Sequence, residues 1–199
     1  MRKEDDMKRH LIETTKTLMR RNGHVTIQEI TRASFSNIAA VNYHFGTKDK
    51  LIEHVVKETL DHLKKTILDE IDALPPGNDI ETTMSRIINV IYGFALENVG
   101  IVNHIFWHRD ADEQASNIFI KTFFETNPFT QLVFGKIAAA IGEEDETVVA
   151  AKYTLLFSSL SLPIFMQVVE SASRDKHMHS LKNEHFRKVY IRELLKIIR

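Results

Sequence analysis

TIQEITRASFSNIAAVNYHFGTKDKL, residues 26–51, decides how the rest of the chain is read. It divides into two short helices, a tight turn between them, and the start of a long third helix. Thr26 is a good N-cap and Glu29 stands three residues on, which makes a capping box. Ile27 and Ile30 give the first helix its inward face. Around Ser34–Ser36 the apolar spacing breaks, and Ser36 is placed to cap a second helix from Asn37 to about Tyr43. Its apolar residues are Ile38 and Val41, while Asn37, Ala39, Ala40 and Asn42 are small or carry amides. Such a face can approach another surface closely. In a DNA major groove, Asn bonds an adenine edge and an Ala methyl meets a thymine methyl. Thr47 caps the long helix, with Asp49 in its first turn where the helix dipole favours an acid. Two short helices whose second member presents polar and small groups form a helix-turn-helix. A helical hairpin without a ligand satisfies the same pattern.

The run VNYHFGTKDKL, preceded by T-x-x-E-I-T and by a helix ending in Gly23, resembles the DNA-binding domain of the TetR family of transcriptional regulators. The matching positions are Thr26, Ile30, Tyr43, His44, Phe45, Lys48, Asp49 and Leu51, and the resemblance covers roughly residues 7–56. It implies phosphate contacts from Thr26, Tyr43 and Lys48, and base contacts from Asn37, Ala39, Ala40 and Asn42. It also implies a place for His44 at the backbone edge, with Gln28 and Ile38 completing the DNA surface. Two departures stand out. Thr31 replaces the usual Ala, and Phe35 stands where the family's turn has Gly. A Phe at a position that prefers positive φ is costly, so a reshaped or longer turn is expected.

The chain has 199 residues, 43% hydrophobic and 27% charged, which suits a soluble globular protein with a sizeable core. Four Pro and seven Gly favour long helices over sheets. No cysteine is present, which excludes disulfides and thiolate chemistry and suits a cytoplasmic protein. The N-terminal MRKEDDMKRH has no apolar run, so no signal peptide is expected. No apolar stretch approaching ~18 residues is evident, so no membrane span is expected either. The net charge of −1 hides an asymmetry. Residues 1–50 hold ten Lys or Arg against six Asp or Glu, a balance of +4, and the remaining 16 and 21 give −5. A basic end on an acidic body fits contact with a polyanion.

Apolar spacing and stop signals give an all-α chain of about nine helices. The first runs from about Glu4 to Asn22 with Met7, Leu11, Leu18 and Met19 inward, and packs on Ile27, Ile30, Val41 and Phe45. The helix from Thr47 to about Leu74 leaves a DNA-binding domain (residues 1–46) for an effector-binding and dimerisation domain (47–199). PPGND at 75–79 is a loop. A wide apolar face over Ile80–Asn98 ends at Gly100, Asn127-Pro128 halts a later helix, and Pro163 should kink a long helix from Glu143 to about Ser173.

Two further surfaces are expected. The resemblance implies a homodimer built from the last two long helices, for which Phe157, Leu160, Ile164, Phe165, Tyr190 and Leu194 offer apolar area. The resemblance also places an effector site where aromatic residues concentrate. Phe94, Asn98, His104, Trp107, His108, Phe119, Phe123 and Phe134 combine apolar walls with a few polar groups, as small-molecule pockets do; a filled aromatic core has the same composition. His104 and His108 share a helical face, a spacing that allows metal binding, but no third ligand stands at a known distance and neither metal nor cofactor is expected. No Gly-rich phosphate loop, nucleophile elbow or paired-carboxylate motif is visible, so an enzyme is not expected. The reading is a dimeric regulator, most simply a repressor of a near-palindromic operator released by a partly apolar small molecule. A ligand-independent architectural DNA binder and a helical protein–protein adaptor are its rivals.

Overall fold

Helices make up every regular element among the described residues of the computed structural model, which are 2–75, 80–107, 113–171, 181 and 183–196. Ten are present there, not about nine: α1 (Arg2–Asn22), α2 (Ile27–Ala33), α3 (Ile38–Phe45), α4 (Lys48–Asp72), α5 (Ile80–Glu97), α6 (Val99–Trp107), α7 (Glu113–Phe123), α8 (Pro128–Ile141), α9 (Glu146–Ser171) and α10 (Glu184–Leu195). The chain divides into two compact units, residues 1–63 with 95–124 and residues 64–94 with 125–199, so the divisions fall inside α4 and α5. The boundary read from the sequence, at 46/47, lies within the first unit.

In the first unit, Leu11 and Met19 of α1, Ile30 of α2 and Val41 and Phe45 of α3 are buried together with Val25. Leu51, Ile52, Val55, Val56 and Leu60 of α4 are buried as well. Two buried threonines interrupt this apolar set without leaving a hydroxyl unsatisfied: Thr15 donates to the Leu11 carbonyl (2.7 Å) and Thr59 to that of Val55 (2.6 Å).

Gly100 does not break a helix, as its position in the sequence suggests; it lies inside α6, and the break falls at Asn98. The reason is distant in sequence. A Cβ on Gly100 would stand 2.0 Å from the Met19 carbonyl oxygen and 2.6 Å from the Gly23 nitrogen, so α6 meets the C-terminus of α1 backbone to backbone. Gly23 makes the approach possible from the other side, ending α1 at φ 73° with its N–H on the Met19 carbonyl (2.9 Å). Arg20 Nε donates to Asn98 Oδ1 (3.0 Å) beside this contact.

The second unit packs α8 on α9, burying Phe129, Val133 and Ile137 with Val149, Tyr153, Leu156 and Leu160, and α10 buries Ile191, Leu194 and Leu195. Asn127 caps α8 through a box with Thr130, and Pro128 occupies the first turn. Pro163 does not end α9, which continues to Ser171. Proline has no N–H for the carbonyl four residues back, here Ser159, and the Tyr190 hydroxyl of α10 donates to that carbonyl. Burial raises the Tyr190 phenol above its ordinary pKa, so it remains a donor at neutral pH. Against expectation, one stretch of α9, Glu146–Ile164, is long and apolar enough to cross a membrane by length and composition, with only 22% of it buried.

Gly100→Ala is expected to destabilise the chain by about 1–3 kcal/mol in urea unfolding, because both partners of the new methyl are backbone atoms that cannot swing aside. The same change at Gly135, where an added Cβ meets nothing within 4 Å, should leave stability unchanged or raised.

Candidate nucleic-acid interface

Local geometry at α2 follows the capping signals closely. Thr26 Oγ1 accepts the Glu29 N–H (3.2 Å) and donates to Glu29 Oε2 (2.8 Å), while the Thr26 N–H donates to the same oxygen (2.7 Å). Those bonds, the backbone one first, hold the Glu29 carboxyl below its ordinary range, with smaller help from His24 and Arg32. The N-terminus of α2 is therefore already served by its own carboxylate. An incoming phosphate has to compete with Glu29 for the same donors.

The turn to α3 is a Schellman motif. The Ser36 N–H donates to the Thr31 carbonyl (2.9 Å) and the Phe35 N–H to that of Arg32 (3.4 Å). Phe35 occupies the position where glycine is usual, at φ 50°. The expected reshaping does not occur: the turn keeps its left-handed geometry and Phe accepts it, at about 1–2 kcal/mol of backbone strain. Ser34, buried, donates to the Ile30 carbonyl (2.7 Å) and shares a hydrogen bond with Ser36 Oγ (2.7 Å). Ser36 is thus part of the turn, and the cap of α3 is Asn37, whose Oδ1 accepts the Ala40 N–H (2.9 Å).

Val41 and Phe45, one turn apart, anchor α3 to the core, with the Phe45 ring 5.4 Å from His54 of α4. Asn37, Ile38, Ala39, Asn42 and Tyr43 are left on the exposed side, with Ala40 and His44 half-buried. Ile38, expected on the DNA surface, is 47% exposed, and Tyr43 is 73% exposed with its ring against His44. Thr26 and Gln28 are exposed at α2. Lys48 is half-buried, its amine 3.4 Å from Asp49 Oδ1. One outward face of α3 therefore carries amides, a phenol and small apolar groups, flanked by Gln28 and Lys48 on the adjoining helices of the same unit.

No family model and no curated protein matches the chain. A solved structure does: a TetR-family transcriptional regulator from Streptomyces coelicolor, 14% identical, superposes with a TM-score of 0.61 over 96% of this chain and 89% of that one. This is the TetR fold. The likeness extends through the helices beyond the helix-turn-helix, where no motif was visible in the sequence.

In a chain of TetR fold the body residues singled out above divide between the units. Asn98, His104, Phe119 and Phe123 belong to the first and Phe94 and Phe134 to the second. His108 and the side chains of Trp107 and Phe165 lie outside the described residues. Phe119 is the centre of an aromatic cluster, 4.9 Å from Phe106, 5.3 Å from Phe123 and 6.0 Å from Phe124. Phe134 stacks instead on Tyr153 (5.0 Å). His104 is buried, and the Asn98 oxygen is engaged by Arg20. Of the residues expected at a dimer interface, Leu160 and Leu194 are buried within their own chain, while Leu155 and Leu162 of α9 are 50% and 61% exposed.

Glu29 sets a sign for the pH dependence. Its folded pKa is depressed, so its contribution is complete above the ordinary carboxyl pKa and is lost as pH falls through the lowered value. Thr26→Ala removes both Thr26 hydroxyl bonds of the box; it should cost about 1 kcal/mol at neutral pH, and the deficit should shrink in acid as pH falls through the lowered Glu29 pKa. Thermal unfolding followed across that range checks it.

Proposed function

We propose that the chain is a sequence-specific DNA-binding transcriptional regulator that works as a homodimer on a near-palindromic operator, as a repressor released by a small-molecule effector. The observation that carries the reading is the outward face of α3, held by Val41 and Phe45 and presenting Asn37, Ile38, Ala39, Asn42 and Tyr43, in a chain whose fold is that of a transcriptional regulator. In this reading α3 enters the major groove, Asn42 pairs with a base edge, and Tyr43, His44, Lys48, Thr26 and Gln28 position the unit on the backbone. Phosphate contacts set register and affinity, while base contacts set sequence.

A single three-helix unit offers too few contacts for a specific site, which is why helix-turn-helix proteins double it across a two-fold axis. The exposed stripe of α9 supports a dimer. Leu155 and Leu162 are two turns apart on a helix whose apolar stretch is only 22% buried in one chain, and a second copy would cover it. Phe157, Ile164 and Tyr190 are half-buried beside it. Dimerisation also accounts for the membrane-like composition of that stretch.

Effector release needs only a difference in affinity between two states: a ligand preferring the non-binding state about 100-fold shifts the equilibrium by about 2.7 kcal/mol. In this reading its route lies inside the first unit. The cluster around Phe119 and the buried His104 sit on α6 and α7, and α6 is locked to α1 through Gly100, Gly23 and the Arg20–Asn98 bond. A ligand that displaces α6 would carry α1 and the helix-turn-helix core with it.

Fluorescence anisotropy on duplexes enriched from random DNA by the full chain tests the reading. Asn42→Ala should lose about 1–3 kcal/mol of discrimination at one base pair per half-site, whereas Lys48→Ala should weaken all sequences alike and flatten the salt dependence by about 0.9 per site. Equal losses on enriched and scrambled DNA for Asn42→Ala would count against base reading. Light scattering should show a dimer at micromolar concentration and a monomer for Leu162→Glu; a wild-type monomer would remove the dimer from the proposal.

A further inference from the structure

Phe35 is 94% exposed and holds φ at 50°, so the folded chain bears a strained backbone there while the phenyl ring contributes almost no burial in return. Glycine at the same place would relieve the strain and lose no packing, since the Schellman turn asks for nothing from the side chain. A residue that weakens the free protein at a special backbone position is explained by what it meets in a complex. Its location says what that is. Phe35 stands two residues before the Asn37 cap, at the N-terminal end of α3. In helix-turn-helix complexes that end of the second helix contacts the base edges.

The next exposed side chains along α3 are also apolar: Ile38, 47% exposed, and Ala39. The cap residue between them and Phe35 has its Oδ1 committed to the Ala40 N–H (2.9 Å). The leading end of α3 thus offers carbon surface beside the Asn37 Nδ2 group, and the amide with both donor and acceptor toward solvent, Asn42, comes a turn later. The major groove presents one apolar feature among its donors and acceptors, the C5-methyl group of thymine, and Phe and Ala are side chains that meet it.

We propose that Phe35, with Ile38 beside it, reads thymine methyl groups in each half-site, making Phe35 a specificity-determining residue of the DNA surface. The proposal rests on the DNA-binding function above. It explains why a Phe occupies a glycine position without reshaping the turn: the left-handed φ keeps α3 in place while the ring is carried forward of it.

Deoxyuridine differs from thymidine only by that methyl, which allows a direct test with the full chain. On duplexes enriched from random DNA by the wild type, thymines are replaced singly by deoxyuridine. The wild type should lose roughly threefold to tenfold in affinity at one or more thymines of each half-site, the range expected for one buried methyl. Phe35→Gly should bind the thymine duplex more weakly by a similar factor, no longer distinguish the two bases there, and melt at a higher temperature than the wild type. Retention of the wild-type preference by Phe35→Gly at every position overturns the proposal, as does a wild type indifferent to all substitutions. If no duplex is enriched at all, the DNA-binding reading has failed before any deoxyuridine duplex is made, so the two failures are distinct.

Discussion

The geometry of the turn between α2 and α3 is the constraint on which the rest of the interface depends. Two backbone hydrogen bonds and one dihedral decide it: the Ser36 and Phe35 N–H groups closing onto the Thr31 and Arg32 carbonyls, and the left-handed φ at residue 35 that lets them do so. With the turn in that form, Asn37 falls at the cap and Val41 and Phe45 fall inward, so Asn42 and Tyr43 are left outside. A helix rotated by one residue would bury an amide and expose a phenylalanine. The buried Ser34, bonded to both Ile30 and Ser36, ties the turn to the end of α2 from beneath.

A second constraint works at the other end of the same unit. Gly23 and Gly100 bring α1 and α6 within backbone contact, and Arg20 and Asn98 fasten the pair. Two helices that meet without intervening side chains have little room to slide, because a packed contact of this kind has discrete arrangements and does not deform gradually. The junction therefore fixes α6 against the helix that supports α2 and α3.

How much of this was legible in the sequence depended on distance along the chain. The capping box at Thr26, the stop at Gly23, the stop at Asn127-Pro128 and the cost attached to Phe35 are all events within four or five residues, and each is where local chemistry puts it. Choices between neighbours were harder. Ser36 and Asn37 can both cap a helix, and only the turn's own bonds decide for Asn37. Long-range roles were out of reach. Gly100 reads as a helix breaker until α1 is beside it, and nothing near Asn98 in the sequence announces its bond to Arg20. On α9, which is apolar nearly all round, periodicity does not say which leucines face inward, and only the fold shows Leu160 buried and Leu155 and Leu162 exposed.

The central claim is that two copies of α3 lie in successive major grooves of one duplex, and hydroxyl-radical footprinting of the full chain on an enriched duplex tests it most directly. The account gives two protected patches on one face of the DNA, related by the dyad of the sequence and centred roughly 34–36 Å apart, one helical turn. A single short patch, or protection spread evenly along the duplex with no fixed spacing, would contradict it.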